Sequence, residues 1–256
     1  MDSLSESYRA EGCTDVVRVL DEADLEPLQT LIFGLTAHLL PAAACEQPLG
    51  ERLRLPLVRN PAADDLARLM NTVNASTELR QVAELPAVTH AFRVALGCDA
   101  IEPFPVWRFR AQIPGVPRSS FSWHQDEATW YAVKVKHLAH RLPATLWLSL
   151  NGASASNSIE VIPGSHDRVL VRHRHRVGQG YFQAVVPSAV GRLGCRRIEA
   201  RAGEGMFLHP LAFHRSVPSP GGAPRYSVDL RYCARSRPRA AYPVDWRFRL
   251  KRWLTR

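Results

Sequence analysis

The 256-residue chain contains no long uninterrupted hydrophobic run, although 46% of its residues are hydrophobic. A membrane-spanning helix needs roughly 18–20 consecutive apolar residues, and no stretch approaches that length. The opening Met-Asp-Ser-Leu-Ser-Glu-Ser is polar and acidic, so it lacks the basic-then-apolar layout of a secretory signal. We therefore expect a cytoplasmic protein.

Paired cysteines, internal repeats and low-complexity linkers are also missing. The five cysteines are scattered, odd in number and never arranged as Cys-x-x-Cys. This pattern favours reduced thiols that mostly serve as packing residues. The length suits one domain with a large core. We therefore expect a single domain over residues 1–256.

Acidic residues are almost absent from the end of the chain. Between Arg231 and Arg256 there are nine Lys or Arg and one acid, Asp245, and the whole chain carries a formal charge of +9. Such an excess of positive charge suits binding to nucleic acid, to an anionic surface or to an acidic substrate. The simpler interpretation is a basic surface that faces solvent. No zinc-finger or RNA-recognition sequence accompanies the charge. A non-catalytic jelly-roll protein that binds nucleic acid or an acidic partner through segment 236–256 is the alternative function.

The first hundred residues have helical periodicity after a short strand at 15–20. We predict a loose terminus over 1–12, a helix capped by Asp21, and helices over 62–73 and 86–96, the last ended by Gly97. The helical layer spans about 20–98.

Beyond Ile101, short apolar runs alternate with turn formers. The predicted strands cover 106–113, 144–150, 158–162, 181–186, 205–208 and 226–232. Strands at this spacing indicate a sandwich or barrel, here over about 101–235 with the helices packed on it. The fold class is therefore α+β.

The sequence Trp123-His124-Gln125-Asp126 carries the strongest chemical signal. On a strand, His124 and Asp126 would point to the same face. His214 would complete the two-histidine, one-carboxylate triad that binds non-haem Fe(II) with three positions open. Alone, His-x-Asp is a weak pattern, and a surface strand with a hydrogen-bonded histidine is the alternative. His166 and His209 are rival candidate ligands.

Arg225 offers a planar, permanently charged fork for a carboxylate. The segment 218–224 is rich in turn formers. If it joins two antiparallel strands, His214 lies opposite Arg225, with Cβ atoms about 4.5–5.5 Å apart. 2-Oxoglutarate fits such a pair, because one end chelates a metal and the distal carboxylate meets the arginine.

The chain resembles the phytanoyl-CoA dioxygenase family of Fe(II)- and 2-oxoglutarate-dependent oxygenases. The matching blocks occur in family order over roughly residues 105–232. They are the segments 123–127, 146–150, 159–166, 203–205, 214–216 and 225–227.

The resemblance implies a double-stranded β-helix, or jelly roll, with N-terminal helices on one sheet. It implies three iron ligands: His124, Asp126 and His214. It also implies four residues for 2-oxoglutarate: Arg225, Ser216, Trp147 and Gln112. The Pro163-Gly164-Ser165-His166 block is expected to be a structural turn.

Asp126 has a further meaning within this resemblance, because related halogenases carry a small residue at that position. Its presence favours hydroxylation or another oxidation of a C–H bond, with consumption of O2 and release of succinate and CO2. We expect a small-molecule substrate, and the candidate substrate residues are Trp130, Lys134 and Lys136. The lysines favour an anionic substrate, with a solvated surface as the alternative. A cupin-like metal enzyme that does not use 2-oxoglutarate is a third possibility.

Overall fold

The computed structural model describes residues 2–132, 141–167, 170–171, 173–175, 182–184, 191–219 and 221–235. Lys134, Lys136 and the basic segment 236–256 lie outside the described residues, as does the side chain of Trp130. Within the described ranges, no helix is both long enough and apolar enough to cross a membrane.

The helices lie almost entirely in the first hundred residues, and the strands follow. The α-helices are α1 (Asp2–Glu11), α2 (Glu22–Thr36), α3 (Leu49–Arg52), α4 (Ala63–Ala75), α5 (Thr77–Glu84), α6 (Pro86–Leu96) and α7 (Glu127–Ala132). The strands are β1 (Val17–Arg18), β2 (Ile101–Pro103), β3 (Arg108–Gln112), β4 (Ala144–Ser149), β5 (Ile159–Val161), β6 (His173–His175), β7 (Phe182–Ala184), β8 (Arg196–Ile198), β9 (Glu204–Leu208), β10 (His214–Ser216) and β11 (Arg225–Ala234).

Local signals account for the helix ends that were predicted. Helix α2 follows Asp21, whose backbone N–H donates to the Asp24 carboxylate at 3.1 Å. Helix α6 begins with Pro86 and ends at Gly97, which has the left-handed φ of 60°. The predictions for α2, α4 and α6 are confirmed to within a few residues at each end.

Four α-helices were not predicted, namely α1 and α5 and the shorter α3 and α7. Residues 1–12 were expected to be loose, but Asp2–Glu11 form α1, with Leu4 and Tyr8 one turn apart and packed on the main core. Helix α5 starts directly after α4 because Ser76 ends one helix and caps the next, its hydroxyl accepting the N–H of Leu79 at 3.1 Å. Helices α1 and α5 are short, and most of their residues are polar.

The strands form two main antiparallel sheets. The large sheet has the order β1-β9-β4-β11-β2, with β3 also paired to β11, and the small sheet has the order β10-β5-β8. Side chains from both sheets share one core cluster, including Trp147, Met206 and Val161. This packing of one sheet on the other, with helices outside, confirms the α+β class and the double-stranded β-helix.

Strand alternation gives the large sheet two different faces. Leu146, Leu148, Val228 and Leu230 are fully buried against the helical layer. Phe92 of α6 and Phe207 of β9 meet there edge to face at 5.0 Å between ring centroids, and the helices therefore cover the outer face completely along β4 and β11.

The inner face of β11 is polar. Arg225, Ser227, Asp229 and Arg231 occupy alternate positions, and each is less than 9% exposed. Because these residues face the small sheet, they deliver charge to the interior of the sandwich.

The predicted hairpin register is wrong. Strand β10 pairs with β5, so that His214 lies opposite Val161, whereas Arg225 lies opposite Gln112 of β3. The turn-rich segment before Arg225 carries the chain from the small sheet to the large sheet instead of reversing it within one sheet. His214 and Arg225 consequently lie on facing sheets.

The close packing of β9 on β4 can be tested by substitution of Gly205. A Cβ added at Gly205 would lie 2.3 Å from the backbone oxygen of Trp147, whereas one added at exposed Gly34 of α2 would meet nothing within 4 Å. We expect Gly205→Ala to lower the free energy of unfolding by about 1–3 kcal/mol. Gly34→Ala should raise it by up to about 1 kcal/mol through helix propensity. Urea unfolding measures both, and equal effects would contradict the packing described.

Candidate functional site

His124 and His214 are held side by side by their own backbones. Each donates its N–H to the carbonyl of the other, at 3.0 and 3.1 Å, and the ring centroids lie 4.1 Å apart. Their Nδ1 atoms lie 2.9 Å from the Ser122 carbonyl and 3.1 Å from the Ala212 carbonyl. A carbonyl can only accept, so Nδ1 carries the proton and Nε2 keeps its lone pair.

Asp126 completes the group. His124 lies in an isolated bridge and Asp126 in the turn that opens α7, where its carbonyl accepts the N–H of Thr129 at 2.9 Å. The prediction that both lie on one strand is therefore wrong, because the chain turns into a helix at this point. Asp126 Oδ1 nevertheless lies 3.8 Å from both histidine Nε2 atoms, and one ligand atom from each residue lies within 4.8 Å of the others.

The protonation states suit a divalent metal. Burial opposes ionisation of Asp126, but Arg231 and the two histidines outweigh it and hold the pKa of this carboxyl well below its usual range. Burial, reinforced by His214, lowers the pKa of His124 to about 3. The group therefore offers a carboxylate and a neutral imidazole at neutral pH, as metal binding requires.

Arg225 is a buried cation on the facing sheet, only 2% exposed. Its Nε and Nη2 donate to Gln112 Oε1 at 3.0 and 2.7 Å, and its Nη1 donates to Ser227 Oγ at 2.8 Å. Burial lowers its pKa to about 10. In the described part of the chain, no carboxylate oxygen lies within 4.0 Å of this guanidinium.

A cleft connects the histidines to Arg225. Its volume is about 380 Å³, including the part open to solvent, and both sheets line it. Trp147 lies under Arg225, with the guanidinium carbon 5.5 Å from the ring centroid. The indole Nε1–H of Trp147 is buried and has no hydrogen-bond partner among the described residues.

Two further residues predicted from the sequence, Ser216 and Gln112, lie at or beside the cleft. Ser216 lines the cleft, and its hydroxyl accepts the N–H of Phe121 at 3.1 Å. Gln112 holds Arg225 in place, with its Nε2 bonded to the Val217 carbonyl.

His166 and His209 lie together elsewhere, with ring centroids 5.1 Å apart. The Nε2 atom of His166 is 2.9 Å from the Arg9 carbonyl of α1. Next to it, Ser165 Oγ donates to the Ile162 carbonyl at 2.6 Å and accepts the Phe213 N–H at 2.9 Å. These contacts confirm the structural turn and place neither histidine at the triad.

Four polar residues around the site were missed from the sequence. Arg110 and Asp229 line the cleft, joined at 2.9 Å, while Thr145 and Arg231 lie behind Asp126. The available signal was the period of two that starts at Arg225, since Asp229 and Arg231 fall on the same face.

The comparisons place the chain in a family. Residues 35–227 match the phytanoyl-CoA dioxygenase family, and the chain therefore belongs to it. This is a family of Fe(II)- and 2-oxoglutarate-dependent oxygenases, so the predicted enzyme class is confirmed. No curated protein matches the chain significantly.

Solved structures share the fold at low identity. The non-haem monooxygenase ThoJ in its apo form is 19% identical, with a TM-score of 0.59 over 93% of this chain and 80% of that one. The epimerase SnoN, in complex with Fe3+, alpha ketoglutarate and nogalamycin RO, is 18% identical, with a TM-score of 0.59 over 94% and 84%. EvdO2 from Micromonospora carbonacea var. aurantiaca, complexed with 2-oxoglutarate, is 15% identical, with a TM-score of 0.62 over 94% and 96%.

The geometry predicts which histidine binds a divalent metal. We expect His214→Ala to weaken Co(II) binding by at least about 100-fold, because a whole ligand is lost and removing even an outer partner costs about 10–100-fold. His166→Ala is the matched control and should leave the affinity unchanged. Isothermal titration calorimetry measures both, and a loss confined to His166→Ala would contradict the triad.

Proposed function

We propose that this protein is an Fe(II)- and 2-oxoglutarate-dependent dioxygenase that oxidises a C–H bond of a small metabolite by hydroxylation. Iron is held by His124, Asp126 and His214, and Arg225 binds the distal carboxylate of 2-oxoglutarate. The main supporting observation is that the buried Arg225 guanidinium faces the cleft from the opposite sheet and has no carboxylate partner among the described residues.

The hydrogen bonds of Arg225 support this role. Of its five N–H donors, three go to Gln112 and Ser227. Within the described residues, one donor remains on each terminal nitrogen, the pair that matches a carboxylate. A buried charge without a partner is costly, by several kcal/mol. An anionic co-substrate would remove that cost.

The charge balance around the triad supports a dianion. The charged side chains at the cleft and behind the triad leave one positive charge in excess. They are four guanidinium groups and three carboxylates, of Arg110, Arg215, Arg225 and Arg231 and of Asp126, Asp229 and Glu160. A divalent metal adds two more. A dicarboxylate offsets two of the resulting three charges. The Trp147 N–H, which has no partner among the described residues, offers its oxygens another donor.

The iron and 2-oxoglutarate would supply the oxidising chemistry with O2, releasing succinate and CO2. The chain itself would position the reacting groups. The backbone hydrogen bonds between the histidines fix the two imidazoles, and Gln112 fixes the Arg225 guanidinium. Asp126 occupies the ligand position that halogenation would need to be vacant, and this favours transfer of oxygen to the substrate.

The rim of the cleft favours an anionic small molecule. Arg110 lies over the Phe121 ring at 4.4 Å and Arg215 over the Trp123 ring at 4.8 Å, and both arginines line the cleft. Their fixed guanidinium groups suit a carboxylate or phosphate on the substrate. Trp130, Lys134 and Lys136 stay candidates for the same role. We place this activity in a single cytoplasmic domain.

Arg225→Gln tests the function directly. We expect it to weaken 2-oxoglutarate binding to the Co(II)-loaded protein by about 10–100-fold, the value of a charged hydrogen-bonded pair, while Co(II) affinity is retained. Arg68→Gln is the control, because Arg68 pairs with Asp65 on α4, away from the cleft. Unchanged 2-oxoglutarate binding in Arg225→Gln would sink the assignment. Succinate release over a panel of anionic and neutral metabolites then identifies the substrate class.

A further inference from the structure

The two oxygens of the Asp126 carboxylate have different surroundings. Oδ1 faces the two histidine Nε2 atoms at 3.8 Å. Oδ2 faces away and accepts two hydrogen bonds of 2.9 Å, one from Arg231 Nη2 and one from Thr145 Oγ. Arg231 is 1% exposed and Thr145 is 2% exposed, so water does not compete for these bonds.

We propose that Arg231, acting with Thr145, is a positioning residue that restricts Asp126 to coordinating the metal through Oδ1 alone. The inference rests on the proposed function, because it takes Asp126 as a metal ligand.

The donors are themselves fixed by the sheet. Arg231 and Thr145 are directly opposed across β11 and β4, and Arg231 Nε donates to Thr145 Oγ at 3.1 Å. Nη1 of Arg231 donates to the Val106 carbonyl at 2.8 Å, and Nη2 also reaches Asp229 at 3.4 Å. Every side-chain nitrogen of Arg231 donates a hydrogen bond. The guanidinium therefore cannot move with the Asp126 carboxylate if that carboxylate rotates.

Thr145 contacts both Arg231 and Asp126, so that each of these three side chains is hydrogen-bonded to the other two. Its hydroxyl accepts from Arg231 and donates to Asp126, so its single hydrogen is directed at Oδ2. Releasing Oδ2 to a metal would break two hydrogen bonds to a charged group in a buried site. Such bonds are among the strongest in proteins.

The number of open metal positions makes this restriction important. A facial triad leaves three positions of an octahedral site open. 2-Oxoglutarate occupies two of them, and the third is needed for oxygen. If Asp126 used both oxygens, it would occupy one of these positions and compete with the co-substrates.

A purely structural Arg231 would behave differently. It would stabilise β11 through Asp229 and Val106, and its loss would lower stability without changing the coordination of the metal. The test therefore needs a readout of coordination, measured alongside thermal unfolding.

The experiment uses Thr145→Val, which has nearly the same shape but no hydroxyl, with Thr145→Ser as its matched control and Arg231→Lys as a second perturbation. Each full-length protein is loaded with Mn(II), and metal-bound water is counted by electron–nuclear double resonance. We expect wild type and Thr145→Ser to hold water at all three open positions. Thr145→Val and Arg231→Lys should lose about one water and bind 2-oxoglutarate about tenfold more weakly, within the range for outer-shell partners.

The outcomes separate the two claims. Wild-type protein that binds no Mn(II) overturns the proposed function and this inference with it. Wild-type protein that binds Mn(II), with Thr145→Val matching Thr145→Ser in both water count and 2-oxoglutarate affinity, overturns the inference alone. If Arg231→Lys fails to fold, the threonine pair still decides.

Discussion

The strict alternation of side chains along β11 is the constraint on which the rest of this structure depends. One face of the strand, with Val228 and Leu230, is apolar and holds the helical layer. The other face carries Arg225, Asp229 and Arg231 into the space between the sheets. Buried polar groups must be paired. Among the described residues, Arg231 has carboxylate partners in Asp126 and Asp229, whereas Arg225 has none. We therefore assign Arg231 a supporting role and propose Arg225 as the residue that binds a co-substrate.

The sequence allowed the four principal candidate residues to be named because each lies in a local pattern. His124 and Asp126 are two residues apart, His214 follows an apolar strand, and Arg225 follows a dense cluster of turn formers. The same cluster led to the wrong hairpin register, because turn formers do not specify which sheet the next strand joins. The crossing from β10 to β11 depends on pairing with β5 and β3, which are distant in sequence.

The supporting network was harder to predict for a different reason. In a sequence, Arg231 resembles the many surface arginines of a chain with a charge of +9. Its burial depends on the sandwich closing over β4 and β11, which no local window contains. Helix α1 was missed because its contact with the core depends on only Leu4 and Tyr8, and all but one of the remaining residues are polar.

The fold itself leaves the reaction open. ThoJ is a monooxygenase and SnoN is an epimerase, and both share this fold, so the outcome depends on how each site presents its substrate. In this chain the rim of the cleft is built on Arg110 and Arg215, each fixed by an aromatic ring and a carboxylate. The triad and Arg225 lie deeper and would serve any of these reactions.

The central claim is that a metal at the triad and Arg225 bind the two ends of one co-substrate. Absorption spectroscopy under anaerobic conditions tests it most directly. Fe(II) and 2-oxoglutarate together should produce a visible charge-transfer band that neither produces alone, because the band requires chelation of the metal by the keto acid. The absence of that band at saturating concentrations of both would contradict the account.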